Sequence, residues 1–269
     1  MDNVLSLEQG MELFTRNGIC ADFYLRHHWP RFVKTREEIE HTRPLPAGSR
    51  VLDVGAHWLH QAAIYAHQGM QVVAMDLPAT MSLPEVGSFA AAQGIALLSE
   101  DHLEQPTALR DTPDDHFDLV LFTEIIEHIT FNPVAMWREI HRVTKPGGRI
   151  VVTTPNYYAL RGRLWHPRRF FSRFGSGLEI SEILNLHTHA HHWKEYSMRE
   201  LIYCFCLLSP DFICIKASHL EEYATGYLGV PTNRVQTTLE RLIRILRPGL
   251  HLEIEVHAKT HGIVIEPHW

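Results

Sequence analysis

Between Arg50 and Pro155, short apolar runs alternate with longer mixed segments. The first run, Arg50–Val54, has no polar alternation and predicts a central strand buried on both faces. A helix is expected to follow through His67, with Gly69 ending it, before a second strand at Gln71–Met75. Pro78–Pro84 predicts a turn, and the helix after it reaches Gln93, where Gly94 stops it. Ile95–Leu98 and Phe117–Phe122 are the third and fourth strands. Pro133 suits the first position of a helix that ends at Lys145-Pro-Gly-Gly148, ahead of a fifth strand at Arg149–Thr153. This β–α alternation implies an α/β fold with a parallel sheet and right-handed crossovers.

The rhythm is different outside that block. Residues 5–40 carry apolar positions such as Leu13, Phe14, Phe23 and Leu25 at helical spacing. They predict a helical cap over 1–44, in front of a main domain at 45–269. Residues 156–195 mix Arg, Trp, Phe, Gly and His without a period, as a lid or substrate loop inserted in that domain does. Regularity returns with a helix at Ser197–Leu208, a strand at Phe212–Lys216 and a helix at Asn233–Leu246. The segments His251–His257 and Gly262–Glu266 are the candidate last strands.

Composition narrows the class. The chain has 269 residues, 45% hydrophobic and 21% charged, which is enough for one substantial core. Its net charge of −6 argues against broad nucleic-acid binding, though not against a local basic patch. MDNVLSLEQGMELF has neither a basic nor an apolar leader region, and no apolar run approaches the roughly 18 residues of a membrane span, so a cytoplasmic protein is expected. Cys20, Cys204, Cys206 and Cys214 form no Cys-x-x-Cys pair and read as reduced core residues. Most of the 20 histidines are expected at the surface.

Two acids punctuate the block. Asp53 closes the first strand and Asp76 the second, 23 residues later, which is how an α/β protein builds a pocket for an adenosine-type cofactor. The turn after the first strand should be rich in glycine, yet Gly55 is followed by Ala56, His57, Trp58, Leu59 and His60.

In order and spacing, VLDVG (51–55), VVAMD (72–76), DDHFDLVLFTEIIEH (114–128), EIHRVTKPGGRIVVTTPN (139–156) and HHWKEYSMREL (191–201) resemble a class I S-adenosylmethionine-dependent methyltransferase of the type 11/23 group. The resemblance implies a Rossmann-like, seven-stranded, mostly parallel sheet flanked by helices. It implies S-adenosylmethionine as cofactor, with Gly55, Ala56 and His57 in the turn that passes close to its methionine portion. Asp53 would orient loop amides or a water holding the ammonium group, and Asp76 would accept from both ribose hydroxyls. Leu77 and Thr123 would border the cofactor, Asp101 would lie near the adenine amine, and His102 would pack beside the ring.

Glu124, Glu127 and His128 follow the fourth strand, at the sheet edge where ligands sit. If the segment is helical they share one face. They could bind a divalent cation, or serve as base and hydrogen-bond acceptors for an acceptor hydroxyl. His192-Trp-Lys-Glu-Tyr-Ser is similar to a segment of the small-RNA 3′-terminal 2′-O-methyltransferases, which implies a magnesium or manganese ion held by Glu124, Glu127, His128 and His192. His187, His189 and His191 crowd the same loop. The same pattern occurs in metal-independent relatives acting on sugars and quinones. Arg161 to Arg173 interleaves five arginines with Trp165, Phe170 and Phe171, either as a clamp for an anionic acceptor or as a solvated loop anchored by its aromatics; Trp193 and Tyr196 would wall the acceptor pocket or pack.

The expected function is O-methylation of a small molecule or glycan precursor, with no membrane partner. Metal-dependent RNA 2′-O-methylation and a binding protein that has lost catalysis are the alternatives.

Overall fold

The computed structural model describes residues 5–19, 22–159, 180–185, 191–221 and 234–268. Cys20, His187, His189 and the basic, aromatic arm at 161–173 lie outside the described residues.

Seven strands form one sheet: β1 Arg50–Val54, β2 Gln71–Asp76, β3 Ala96–Ser99, β4 Phe117–Thr123, β5 Thr144–Pro155, β6 Phe212–Leu220 and β7 Gly249–Val256. Their spatial order is β3-β2-β1-β4-β5-β7-β6, with β1 to β5 parallel and β7 antiparallel between β5 and β6. Val51–Val54 are all buried, the apolar Val51, Leu52 and Val54 as a central parallel strand requires and Asp53 with them. Val54 stands opposite both Met75 and Phe122. The residues that follow these strand ends therefore emerge side by side at the carboxyl edge of the sheet.

The helices are α1 Leu7–Arg16, α2 Asp22–Thr42, α3 His60–His67, α4 Pro78–Met81, α5 Pro84–Gln93, α6 Val134–Val143, α7 Ile180–Asn185, α8 Met198–Leu208 and α9 Arg234–Leu242. Ser6 and Gln9 close a capping box on α1, and Ser197 and Glu200 do the same for α8. One face of the sheet is covered by Phe14, Leu25 and Trp29 of the N-terminal helices together with Ile64, Tyr65 and Phe89. The other face is covered by α6 and α8, where Trp137 is fully buried between Phe122 at 4.9 Å and Phe205 at 4.8 Å.

A buried ion pair fastens α2 to the sheet. Arg149, 1% exposed, meets Glu253 at 3.0 Å. Its guanidinium also donates to the carbonyls of Ile39 at 3.0 Å and Arg43 at 2.6 Å at the end of α2, where Ile39 also accepts from the Arg43 amide. Thr42 adds a hydrogen bond to Glu253 at 2.6 Å.

Several expectations need correction. Gly262–Glu266 is not a strand, because β7 is already paired on both edges. Instead Asp211 gathers the amides of Thr260, His261 and Gly262 and turns the chain back along the core. The expected helix at Asn233–Leu246 is α9 followed by a separate 3₁₀ turn at Arg244–Leu246. Cys206 and Cys214 are exposed rather than core residues. The histidines are less superficial than expected: His60, His141, His191 and His251 are buried. No helix among the described residues is long and apolar enough to cross a membrane.

Candidate active site

A cavity of about 720 Å³ opens at the carboxyl ends of β1, β2 and β4, a size suited to a cofactor with a small acceptor. At its floor Gly55 has a φ of 72°, and a Cβ there would lie 2.0 Å from Ile125 Cδ1. Both conformation and space therefore demand glycine. Gly55 and Ala56 donate to the Met75 carbonyl at 2.8 and 3.2 Å, tying the turn to β2. The turn then passes through two residues in the left-handed region, His57 at φ 47° and Leu59 at φ 63°. Such backbone is uncommon away from glycine.

Asp76 holds this turn. Its carboxylate accepts from the His57 amide and from the Leu77 amide, both at 2.6 Å. Each oxygen keeps acceptor capacity for a further donor. Asp53 is 1% exposed and its Oδ2 has no hydrogen-bond partner. Burial, reinforced by the neighbouring Asp76 charge, pushes its carboxyl up to about 8. Asp53, Gly55, Ala56, His57, Asp76 and Leu77 all line the cavity.

After β3 the adjacent acids divide the work. Glu100 is buried and clamps the loop by accepting from the His102 and Ala108 amides, each at 2.8 Å. Asp101 is exposed at the cavity rim. His102 is exposed and lies off the wall; the wall position expected for it is taken by Leu103. A residue one step further along the loop points inward because the Glu100 clamp fixes His102 by its backbone.

After β4 the chain does not form the α-helix that would align Glu124, Glu127 and His128. Glu124 has φ 57°, and only Ile126–His128 form a 3₁₀ turn. Glu124 is turned toward the cap: Arg31 of α2 meets its carboxylate at 3.0 Å, and the Thr153 hydroxyl donates to it at 3.0 Å. Glu127 is fully buried and accepts from the Thr154 hydroxyl at 2.9 Å. Burial and then the Glu124 charge raise its carboxyl well above the usual range. The backbone carbonyl of Glu127 accepts from the Trp193 amide at 2.8 Å, which brings the 191–195 segment alongside.

That segment completes a second group. His128 Nδ1 donates to the His191 carbonyl at 3.0 Å, since a carbonyl can only accept, and this leaves Nε2 with its lone pair. The rings of His128 and His192 meet edge-on at 4.7 Å. One donor atom each from Glu127, His128 and His192 lie within 4.8 Å of one another. Adjacent donors around an octahedral magnesium or manganese ion stand roughly 3.0 Å apart at bond lengths near 2.1 Å, so the group would have to draw inward by up to roughly 2 Å to hold one. Of the four residues expected to converge, the structure brings together these three, and Glu124 is engaged elsewhere. Glu124 and His128 line the cavity, whereas Glu127 and His192 are not among its lining residues.

Thr123 lines the wall and donates to Gln61 Oε1 at 3.1 Å. Trp193 is 40% exposed, and Tyr196 is packed beside the second core. Sequence reasoning missed Tyr24, Arg31 and Phe32 of α2 and His60 and Gln61 of α3, all on the cavity wall. Arg31 is the one Lys or Arg among its described lining residues. A signal existed: Tyr24, His28 and Arg31 recur at the spacing of one helix face.

Comparison with known proteins agrees with this geometry. Residues 52–152 match the family described as "Methyltransferase domain". A ubiquinone biosynthesis O-methyltransferase of Xanthomonas oryzae is 32% identical over 112 residues, covering 41% of this chain and 44% of the relative. An uncharacterised methyltransferase of Mycobacterium leprae is 32% identical over 115 residues, 40% of this chain and 38% of the relative. The chain thus spans less than half the length of these curated relatives. Among solved structures, the complex of a Haloferax volcanii methyltransferase activator with a methyltransferase is similar at a TM-score of 0.55 and 16% identity, covering 90% of this chain and 97% of that one. An S-adenosylmethionine-dependent methyltransferase from Mesorhizobium loti is similar at 0.53 and 17%, covering 85% and 97%. At these identities the structures speak to the fold.

Proposed function

We propose that this chain, whose residues 52–152 match a methyltransferase domain, is a class I S-adenosylmethionine-dependent methyltransferase that transfers the methyl group of S-adenosylmethionine to a hydroxyl of a small molecule or glycan precursor. The observation that carries this reading is the cavity itself. It joins the Asp53–Gly55 turn and Asp76 to His128 within one space.

The residues present fit the cofactor. Asp76 retains acceptor capacity for two ribose hydroxyls beside the two amides that it already holds. Asp53 Oδ2, buried without a partner, suits an ammonium donor. Arg31, paired with Glu124, places a positive charge on the same wall. S-adenosylmethionine supplies an activated methyl group, so the chain has chiefly to position an acceptor in line and exclude water. His128, its tautomer set by the His191 carbonyl, is placed to take the acceptor's proton at Nε2. Phe131, Ile125 and Ile129 give that end of the cavity an apolar lining.

Asp76→Ala should weaken S-adenosylmethionine binding by roughly 1–3 kcal/mol in calorimetry, the scale of lost charged hydrogen bonds. Unchanged affinity would mean that Asp76 does not hold the ribose. The activity reading is tested by transfer of labelled methyl from S-adenosylmethionine to a panel of phenols, catechols and sugar hydroxyls. His128→Ala should lower turnover of any acceptor found by roughly 10²–10⁴-fold while cofactor binding persists. Turnover left intact by that change would remove His128 as base.

A second reading rests on the three converging donors. Glu127, His128 and His192 could hold a magnesium or manganese ion, for which the buried Glu127 carboxylate is a fitting anion. The His128–carbonyl hydrogen bond is the kind of support that metal-bound histidines receive. Full activity in a chelator would exclude the metal, and with it the RNA-directed alternative.

A further inference from the structure

The turn after β1 departs from glycine at His57, and the departure coincides with a concentration of unanswered polar atoms. Asp53 Oδ2, His57 Nδ1, His60 Nε2 and Gln61 Nε2 are all buried without a hydrogen-bond partner, and all four side chains line the same cavity. Asp53, His60 and Gln61 are 1%, 2% and 4% exposed. Native proteins carry only a few such groups per hundred residues, and each calls for an explanation. Four of them between residues 53 and 61 call for a ligand.

Their chemistry is complementary to a particular group. His60 Nε2, buried and without a partner, can present a lone pair to a donor. Asp53 Oδ2 is a second acceptor once its carboxyl is ionised, which an ammonium beside it favours. Gln61 receives the Thr123 hydroxyl on Oε1, so its Nε2 is a donor facing the unfilled side. Burial keeps His57 and His60 below the usual imidazole range, so neither ring adds a positive charge. His57 is wedged against Tyr24 at 5.1 Å and Trp58 at 4.4 Å, which fixes its ring at the wall. Two acceptors for an ammonium, a donor for a carboxylate and one adaptable imidazole describe the surroundings of an α-amino acid.

We propose that the amino-acid head of the cofactor is held in this chain by the side chains of His57, His60 and Gln61 together with Asp53, in place of the close backbone approach that glycine allows. This rests on the cofactor reading above. It gives the histidine at φ 47° a role in a backbone conformation where glycine would be more comfortable.

The test uses calorimetry on the full chain with two ligands. One is S-adenosylmethionine; the other is 5′-methylthioadenosine, which keeps the nucleoside and lacks the amino-acid head. The wild-type chain should bind S-adenosylmethionine more tightly. His57→Gly should weaken S-adenosylmethionine by about tenfold and leave methylthioadenosine within about twofold. Gln61→Ala, away from the strained backbone, should show the same selective loss. Equal or tighter S-adenosylmethionine binding in both variants would overturn the proposal, as would an equal loss for both ligands, which marks a distorted turn. If the wild-type chain binds neither ligand, the cofactor reading itself falls.

Discussion

Arg149→Met is expected to destabilise the fold by about 3 kcal/mol in urea titration, and to loosen the end of α2 first. The change strands Glu253, which is 0% exposed, without the guanidinium 3.0 Å away. Removing one member of a buried pair typically costs roughly 3–5 kcal/mol, because the remaining charge stays in a low-dielectric interior. The lower end applies because Glu253 keeps Thr42 at 2.6 Å and His251 at 3.0 Å. The same change removes the donors to the Ile39 and Arg43 carbonyls. Amide exchange in the last turns of α2 should therefore quicken more than exchange in β1. Since α2 also carries Tyr24 and Arg31 to the cavity, cofactor affinity should fall with it. Uniform acceleration across the sheet would show that Arg149 supports the core in general rather than the cap.

Gly55→Ala is the second large effect. A methyl at this position would stand 2.0 Å from Ile125 Cδ1, at a φ of 72°. Left-handed backbone costs an L-residue roughly 1–2 kcal/mol. Overfilling a packed site costs roughly 1–3 kcal/mol more. The sum, roughly 2–5 kcal/mol, should appear as lost stability and, because Ile125 lines the cavity, as lost cofactor binding. Gly69→Ala is the control: φ there is 81°, but nothing lies within 4 Å of the added carbon. It should cost only the backbone share and leave cofactor binding intact. Equal effects at the two glycines would mean that the contact with Ile125 relaxes freely.

The contrast between these glycines shows what was legible beforehand. β1 could be read from Val51, Leu52 and Val54, because a central strand buried on both faces is mostly apolar, with Asp53 as its one buried acid. Asp53 and Asp76 could be read because strand ends at one sheet edge converge by register. The group after β4 was read only in part. Local spacing suggested a helix, yet Glu124 is drawn into left-handed backbone by Thr153 on β5 and Arg31 on α2, partners far away in the chain. His102 gave way to Leu103 because the buried Glu100 clamps the loop, which neighbouring residue types do not reveal. His60 and Gln61 carried no motif; their significance lies in hydrogen bonds that are missing, and missing partners exist only in three dimensions.

The central claim is that the Asp53–Asp76 cavity is an S-adenosylmethionine site, and titration calorimetry with S-adenosylmethionine tests it most directly. The expected result is saturable one-to-one binding with a dissociation constant in roughly the micromolar to submillimolar range, weakened by Asp76→Ala while the variant stays folded. No heat of binding at millimolar cofactor with folded protein, or binding unaffected by Asp76→Ala, would contradict it.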